Sequence, residues 1–365
     1  MRITLARGEL LDTLSVVGRA LSSRSTLPIL SGVLLSAEHS RIVMQATDLE
    51  ISIKASVEAK VDQDGKTVAP GKMLTDIVRS LPEAAVTVAS EGDRISVTSG
   101  TAAFSLKTLP GQDFPRFPEV SPESKVELAI DVLSRAAKQV SRAVSRDETR
   151  PILTGVLTVV EGTSLRLVAT DSYRLAVSEV PLENAGGEVE VVVPGKALEE
   201  VVRSSSAFDK VTMGVSENQL VFEFGDITFV SRRIEGAFPN YRQLIPKDPH
   251  TKVTLPREEL LEAVRRVSLL AQHNTPLRAR VAAGDKTLTL SATTQDVGEA
   301  TEDLMVEAEG EDVEIAFNHA FLADGITSSE GESMDVEIVS PLKPGVLRTP
   351  DDPGFLYLLM PVRLG

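Results

Sequence analysis

One unit is written three times along this chain, and that repetition limits the possible folds more than any other feature. Three segments open alike: Ile3-Thr-Leu-Ala-Arg-Gly-Glu-Leu-Leu, Val126-Glu-Leu-Ala-Ile-Asp-Val-Leu and Val253-Thr-Leu-Pro-Arg-Glu-Glu-Leu-Leu. Each alternates like a short strand and then takes up helical spacing. Further on come Thr26-Leu-Pro-Ile-Leu-Ser-Gly-Val-Leu and Thr149-Arg-Pro-Ile-Leu-Thr-Gly-Val-Leu, 123 residues apart. Ala46-Thr-Asp-Leu and Ala169-Thr-Asp-Ser repeat at the same offset. Val68-Ala-Pro-Gly-Lys pairs with Val192-Val-Pro-Gly-Lys, and Asp113-Phe-Pro with Ala237-Phe-Pro. The third copy is fainter, with Thr275-Pro-Leu-Arg, Ala292-Thr-Thr-Gln-Asp and Ala316-Phe-Asn-His in the same order. A period near 123 residues is too long for a solenoid, so each copy is expected to be a complete domain.

The boundaries fall in polar, proline-bearing stretches, Pro118-Glu-Val-Ser-Pro-Glu-Ser-Lys and Pro246-Lys-Asp-Pro-His-Thr-Lys, giving domains over 1–122, 123–247 and 248–365. Periodicity predicts two helices per copy: 7–21 and 71–81, 130–146 and 195–204, 257–271 and 318–328. The remainder reads as short alternating strands such as Arg94-Ile-Ser-Val-Thr and Leu220-Val-Phe-Glu-Phe. Antiparallel sheets with two helices on one face make an α+β domain.

Charge first argues against nucleic acid, because the formal net charge is -15 and phosphate contact needs cations. Its distribution points the other way. On the predicted helix from Asp131, Arg135, Lys138, Arg142 and Arg146 fall within roughly an 80° arc, opposite Leu133, Ala137, Val140 and Val144. Asp131 is the single acid in that arc and suits the helix N-terminus. Arg19, Arg24, Lys72, Arg79, Lys196, Arg203, Arg265 and Arg266 also lie in or beside predicted helices. An acidic body with cations gathered on its helices suits loose, sequence-independent phosphate contact. Aromatics are only 4% and tryptophan is absent, which disfavours stacking platforms for single strands.

Familiar catalytic patterns are missing. With no cysteine, disulfides, thiolate metal sites and a cysteine nucleophile are excluded. His39, His250, His273 and His319 share no metal-ligand spacing. Gly65 and Gly71 stand one residue too far apart for a phosphate loop, and Met73 replaces its Ser/Thr. Pro70-Gly-Lys and Pro194-Gly-Lys are better explained as helix starts. Asp48 and Asp171 recur in equivalent copies, which favours a turn role over catalysis. Apolar runs fall short of the roughly 18 residues of a membrane helix, and the N-terminus turns charged too early for a secretion signal. The expected compartment is the cytoplasm.

Three such copies, with Thr-Leu-Pro-Ile-Leu at 26–30, Ala-Thr-Asp at 169–171, Phe-Pro-Asn-Tyr-Arg at 238–242 and Met-Pro-Val-Arg-Leu at 360–364, closely resemble the bacterial sliding clamps, the processivity subunits of replicative DNA polymerases. The resemblance spans the whole chain. It implies a closed head-to-tail dimeric ring of six domains, with twelve helices lining a hole that holds double-stranded DNA. It implies no cofactor, no metal, no membrane partner and no catalytic activity. By resemblance the DNA-facing residues include Arg24, Lys72, Lys196, Arg146 and Arg150, beside Arg135, Lys138 and Arg142 of the basic arc. A groove comprising Ile152, Leu153, Thr170, Ser172, Tyr173, Arg174, Leu175, Pro239, Leu244, Leu358, Met360 and Arg363 is implied to take short Leu/Phe-bearing peptides. Their bearers are the polymerase catalytic subunit, the clamp loader, repair polymerases and ligase. Arg174 and Arg363 would rim that groove and Met360 would give it an adaptable floor. Phe104, Leu106, Leu269 and Leu270 are the implied ring closure. Ser172-Tyr173 and Gly195 depart from relatives that carry Gly-His and a second cation.

Residue chemistry alone leaves other readings open. From the residues alone, Pro-Ile-Leu in a strand and Leu-x-Met near the C-terminus read as core in preference to groove. An acidic three-domain scaffold that binds proteins but not DNA predicts a monomer. A repeat enzyme predicts a deep pocket with a strongly perturbed carboxylate.

Overall fold

The computed structural model describes residues 1–22, 27–183, 187–271 and 275–363. Arg24, expected at the DNA, lies outside the described residues. Six α-helices occur among the described residues: α1 (Arg7–Val17), α2 (Gly71–Ser80), α3 (Ile130–Ser141), α4 (Gly195–Ser204), α5 (Arg257–Ser268) and α6 (His319–Ser328). They stand where periodicity places them, two per copy, alongside four antiparallel sheets. The fold is α+β, as expected.

Three helices end early. α1, α3 and α5 stop at Val17, Ser141 and Ser268 instead of reaching 21, 146 and 271. In the first two copies the cause is shared. The Ser22 N–H donates to the Leu30 carbonyl at 3.0 Å, and the Ser145 N–H to the Leu153 carbonyl at 3.0 Å. Those carbonyls belong to 3-10 turns, Pro28–Ser31 and Pro151–Thr154, so the chain must leave the helix to meet them. In the first copy Gly18 caps α1 and opens a 3-10 turn over Gly18–Ala20, whereas at Ser141 in the second no Pro or Gly announces the stop. The Pro-Ile-Leu segments are therefore turns, and the strands follow at Gly32–Glu38 and Gly155–Glu161.

Gly71 and Gly195 open α2 and α4 as the Pro-Gly pairs predict. A Cβ on Gly71 would lie 2.6 Å from Leu21 Cδ1, and one on Gly195 would lie 2.8 Å from Val144 Cγ1. Close packing, not phosphate, fixes glycine there.

The chain divides into two compact units, Met1–Asp131 with Glu199–Arg233, and Val132–Leu198 with Ile234–Gly365. The first holds sheets of five and eight strands, the second sheets of nine and four. The larger sheet of each unit runs from one copy into the next. In the first unit Ile51–Glu58 pairs with Ile227–Arg232, in the register Ser52 to Val230. In the second, Arg174–Pro181 pairs with Asp352–Leu359, in the register Leu175 to Leu358. Two units therefore hold three copies, because ladders cross the repeat boundaries.

Alternation decides what each strand buries. Ile95, Val97 and Ser99 face inward along Arg94–Ser99 while Arg94 is exposed. Ile3, Leu10 and Leu14 carry the strand-then-helix opening into the first unit's core. Tyr357, Phe355 and Phe317 anchor the second, each large apolar body worth roughly 1.5–3 kcal/mol on burial.

Candidate functional site

The groove residues implied by resemblance all fall in the second unit, and a tight turn organises them. Thr170 Oγ1 donates to the Arg174 carbonyl at 2.7 Å and accepts the Ser172 N–H at 3.2 Å. Asp171 Oδ1 accepts the N–H groups of Tyr173 (2.9 Å) and Arg174 (3.0 Å). That is the turn role expected of this aspartate. Ser172 takes a left-handed φ of 81°, and its hydroxyl accepts from Arg150 Nη1 at 2.9 Å.

Beneath the turn lies a closed apolar floor. Leu175 and Leu358 are buried with Leu157, Val168, Val192 and Tyr241, and Ile152, Phe238 and Ile245 pack on them. Leu153 and Thr170 are buried as well. Above the floor the surface turns apolar and open, with Tyr173 62%, Leu244 45%, Met360 40% and Val362 36% exposed. Pro239, Ser172 and Arg363 are also exposed. The Met360 N–H donates to the Tyr173 carbonyl at 2.9 Å, extending the ladder past the last strand. The residues implied as a groove thus divide into a buried set and an exposed set.

Arg174 is not the exposed rim cation that sequence suggests. Its side chain keeps only 10% of its accessibility. Nε meets Asp171 Oδ2 at 2.9 Å, and Nη1 meets Asp324 Oδ2 at 2.6 Å. Nη1 also donates to the Tyr357 hydroxyl at 3.1 Å, and the guanidinium lies 4.2 Å over the Phe321 ring. Burial works against this charge, yet Tyr357, Asp324 and Asp171 outweigh it and hold the guanidinium above its ordinary range. Burial also pushes the Tyr357 phenol above the tyrosine range, against the pull of Arg174. Phe321 then stacks on Tyr173, with centroids 6.4 Å apart and planes 29° apart.

Asp324, Phe321 and Tyr357 carry no signal in the sequence, and Phe238 and Tyr241 enter its reading only within the Phe-Pro-Asn-Tyr-Arg motif. Phe321 and Asp324 sit three residues apart on α6, a spacing that marks a shared helix face. Their partner lies 150 residues away, and no local pattern announces it.

The basic residues divide into two kinds. Arg135 and Lys138 are exposed on α3, opposite buried Leu133, Ala136, Ala137 and Val140. Arg142 and Arg146 lie beyond the end of α3, so the four-cation arc is half helix and half loop. Lys72, Arg135, Lys138 and Arg146 are exposed and pair with no carboxylate among the described residues. Lys196 is exposed at the start of α4. The others are paired: Arg142 with Asp324 at 2.9 Å, Arg150 with Asp147 at 2.8 Å, Arg19 with Glu200 at 2.9 Å. Arg79, Arg203, Arg265 and Arg266 likewise hold carboxylates. Apart from the half-buried Arg19–Glu200 pair, these contacts are exposed, weak and salt-screened, but all of them dilute the field that sequence alone assigns to the helices. At Asp147 the Thr149 hydroxyl, then Arg150, holds the carboxyl below its usual range.

Each unit also ends a sheet in an open edge. Ala102–Lys107 closes the five-stranded sheet, with Phe104 37% exposed and Leu106 half-buried. Gly298–Met305 closes the four-stranded sheet. Leu269, just past α5, is 83% exposed, and Leu270 beside it is half-buried. Unpaired edges beside exposed apolar side chains invite another strand. No group of His, Cys, Asp and Glu suited to a metal occurs among the described residues, and no helix among them is long and apolar enough to cross a membrane.

Known proteins match this arrangement throughout. Residues 1–118 match the N-terminal domain family of the DNA polymerase III beta subunit, 127–240 its central domain family and 242–363 its C-terminal domain family. The beta sliding clamp of Streptomyces coelicolor is 33% identical over 377 aligned positions, covering 100% of both chains. A crystal structure of the DNA polymerase sliding clamp from Caulobacter crescentus superposes with a TM-score of 0.92 at 35% identity over 100% of both chains. The sliding clamp of Pseudomonas aeruginosa bound to griselimycin superposes with a TM-score of 0.94 at 29% identity, again over 100% of both chains.

Proposed function

We propose that this chain, which belongs to the DNA polymerase III beta subunit family, works as a sliding clamp, a closed ring that encircles DNA and tethers a polymerase to it. The observation that carries this reading is the ordered match of three clamp domain families along residues 1–363. Two copies of the chain close head to tail through the edges at Ala102–Lys107 and Gly298–Met305, with Phe104, Leu106, Leu269 and Leu270 as the apolar contact. A two-fold ring needs that contact twice.

Encirclement reconciles the acidic chain with DNA. A topological link needs little affinity, and unpaired cations such as Lys72, Arg135, Lys138 and Arg146 supply weak phosphate contact that permits sliding. Arg24, Lys196, Arg142 and Arg150 are assigned to phosphate contact as well. The groove around Tyr173, Leu244, Met360 and Arg363 takes short peptides whose Leu or Phe anchors settle over the Leu175–Leu358 floor. The replicative polymerase, the clamp loader, repair polymerases and ligase are the bearers. The chain itself is non-catalytic and cytoplasmic in this reading. The exposed apolar wall and open edges favour it over a monomeric scaffold.

The test is retention on DNA as salt rises. Held on closed circular DNA, the protein is expected to survive salt that strips it from linear DNA, because a link does not depend on counterion release. Equal loss from both forms would overturn the clamp reading. Phe104→Ala with Leu269→Ala is expected to give folded monomers where the wild type runs near twice 39.2 kDa.

A further inference from the structure

We propose that Asp324 is a positioning residue of the peptide groove, and that its second bond, to Arg142, lets phosphate at the end of α3 tighten that groove. The inference rests on the peptide groove and DNA contact proposed above.

One carboxylate serves two arginines. Asp324 Oδ1 accepts from Arg142 Nη1 at 2.9 Å and Oδ2 from Arg174 Nη1 at 2.6 Å. Their settings differ, for the Arg142 side chain is 47% exposed and that of Arg174 only 10%. Arg142 is therefore open to competition from solvent phosphate, and Arg174 is not. Arg174 in turn lies over Phe321, and Phe321 stacks on Tyr173, the most exposed wall of the groove. A continuous line of contacts joins a cation at the end of α3 to the surface a peptide touches.

The sign follows from electrostatics. A carboxylate shared between two guanidinium groups divides its attraction. When phosphate takes Arg142, Asp324 is left to Arg174, and that enclosed bond gains because charges interact more strongly out of water. Asp171 and Tyr357 keep Arg174 in place meanwhile. The guanidinium sits more firmly on Phe321, and the Tyr173 wall is ordered before a peptide arrives. Less ordering then opposes binding. By linkage, a bound peptide must raise affinity for duplex DNA by the same factor.

The experiment uses the full chain labelled with fluorotyrosine, whose three tyrosines give three fluorine resonances. A Leu/Phe-bearing peptide is titrated by calorimetry with and without a short DNA duplex. In the wild type, duplex is expected to lower the peptide Kd about fivefold and to shift the Tyr173 resonance. Arg142→Gln is expected to lose both responses. Lys343→Gln, which removes an exposed cation outside the proposed DNA contact and without touching Asp324, is expected to keep them. Asp324→Asn is expected to move the Tyr173 resonance without duplex and to weaken the peptide about tenfold, with Asp324→Glu recovering part. Full response in Arg142→Gln, or an unmoved Tyr173 resonance in Asp324→Asn, would overturn the proposal. A wild-type chain that takes no peptide would overturn the groove reading instead, and the Tyr173 resonance would still decide the role of Asp324.

Discussion

The turn at Thr47–Ile51 and the turn at Thr170–Arg174 have one backbone and opposite surfaces. In the first, Thr47 Oγ1 donates to the Ile51 carbonyl at 2.9 Å and accepts the Leu49 N–H at 3.0 Å. Asp48 Oδ1 accepts the Glu50 and Ile51 N–H groups at 3.1 and 2.7 Å. Leu49 takes a φ of 76° where Ser172 takes 81°. The Arg232 N–H donates to the Glu50 carbonyl at 3.2 Å, as the Met360 N–H does to that of Tyr173. Yet Glu50 stands for Tyr173, buried Ile51 for Arg174, Arg232 for Met360 and Phe229 for Tyr357. A buried cluster of the same copy sets Ile29, Leu30 and Val68 against Leu34, Leu109 and Phe114. Repetition supplied a scaffold twice, and the side chains carried on it put exposed Tyr173 and Met360 at the second turn where the first has Glu50 and Arg232.

Grafting side chains from the first turn onto the second tests that reading. The largest effect belongs to Arg174→Ile, which strands Asp171 and Asp324 and uncovers Phe321. Removing one partner of an enclosed pair costs about 3 kcal/mol of stability, and peptide binding is expected to fall at least a hundredfold, read by denaturant unfolding and calorimetry. Met360→Arg comes next. It replaces an exposed apolar contact worth roughly 1.5 kcal/mol or more, so affinity is expected to fall about tenfold while the unfolding midpoint stays put. A large shift in that midpoint would mean Met360 is core instead of groove.

The smallest effect concerns Tyr357, the phenol standing where the first unit has Phe229. Its pKa is raised in the folded state, so its stability contribution is complete below the unfolded tyrosine value of about 10. That contribution is lost as pH climbs above 10 toward the folded value. Tyr357→Phe is expected to flatten the alkaline loss of stability by about 1 kcal/mol at pH 11, measured by urea unfolding at pH 8 and pH 11. An unchanged slope would place the phenol outside the network.

How much of this was legible in the sequence differs between scaffold and site. Helix positions followed from periodicity, and the starts at Gly71 and Gly195 from Pro-Gly pairs. The end at Ser141 did not, because the Ser145–Leu153 bond that enforces it lies outside the helix, while the end at Val17 had a local signal in Gly18, its cap. Repetition identified Asp48 and Asp171 as turn residues correctly. The resemblance implied Arg174 at the groove rim, facing solvent. Its burial depends on Asp324 and Tyr357, both more than a hundred residues away. The cationic arc on α3 was overdrawn for the same reason. Arg142 leaves the helix and meets Asp324, a partner that no local pattern supplies.

The most direct test is a calorimetric titration of a Leu/Phe-bearing peptide into the wild-type chain, Met360→Ala, Leu244→Ala and Arg232→Ala. One peptide per chain is expected. Affinity should fall in Met360→Ala and Leu244→Ala, and Arg232→Ala in the first unit should bind as the wild type does. Leu175→Ala is the poorer probe, because emptying so buried a site costs about 2–5 kcal/mol of stability and confounds floor with fold. Two peptides per chain, or full affinity in Met360→Ala, would contradict a single groove built on the second turn.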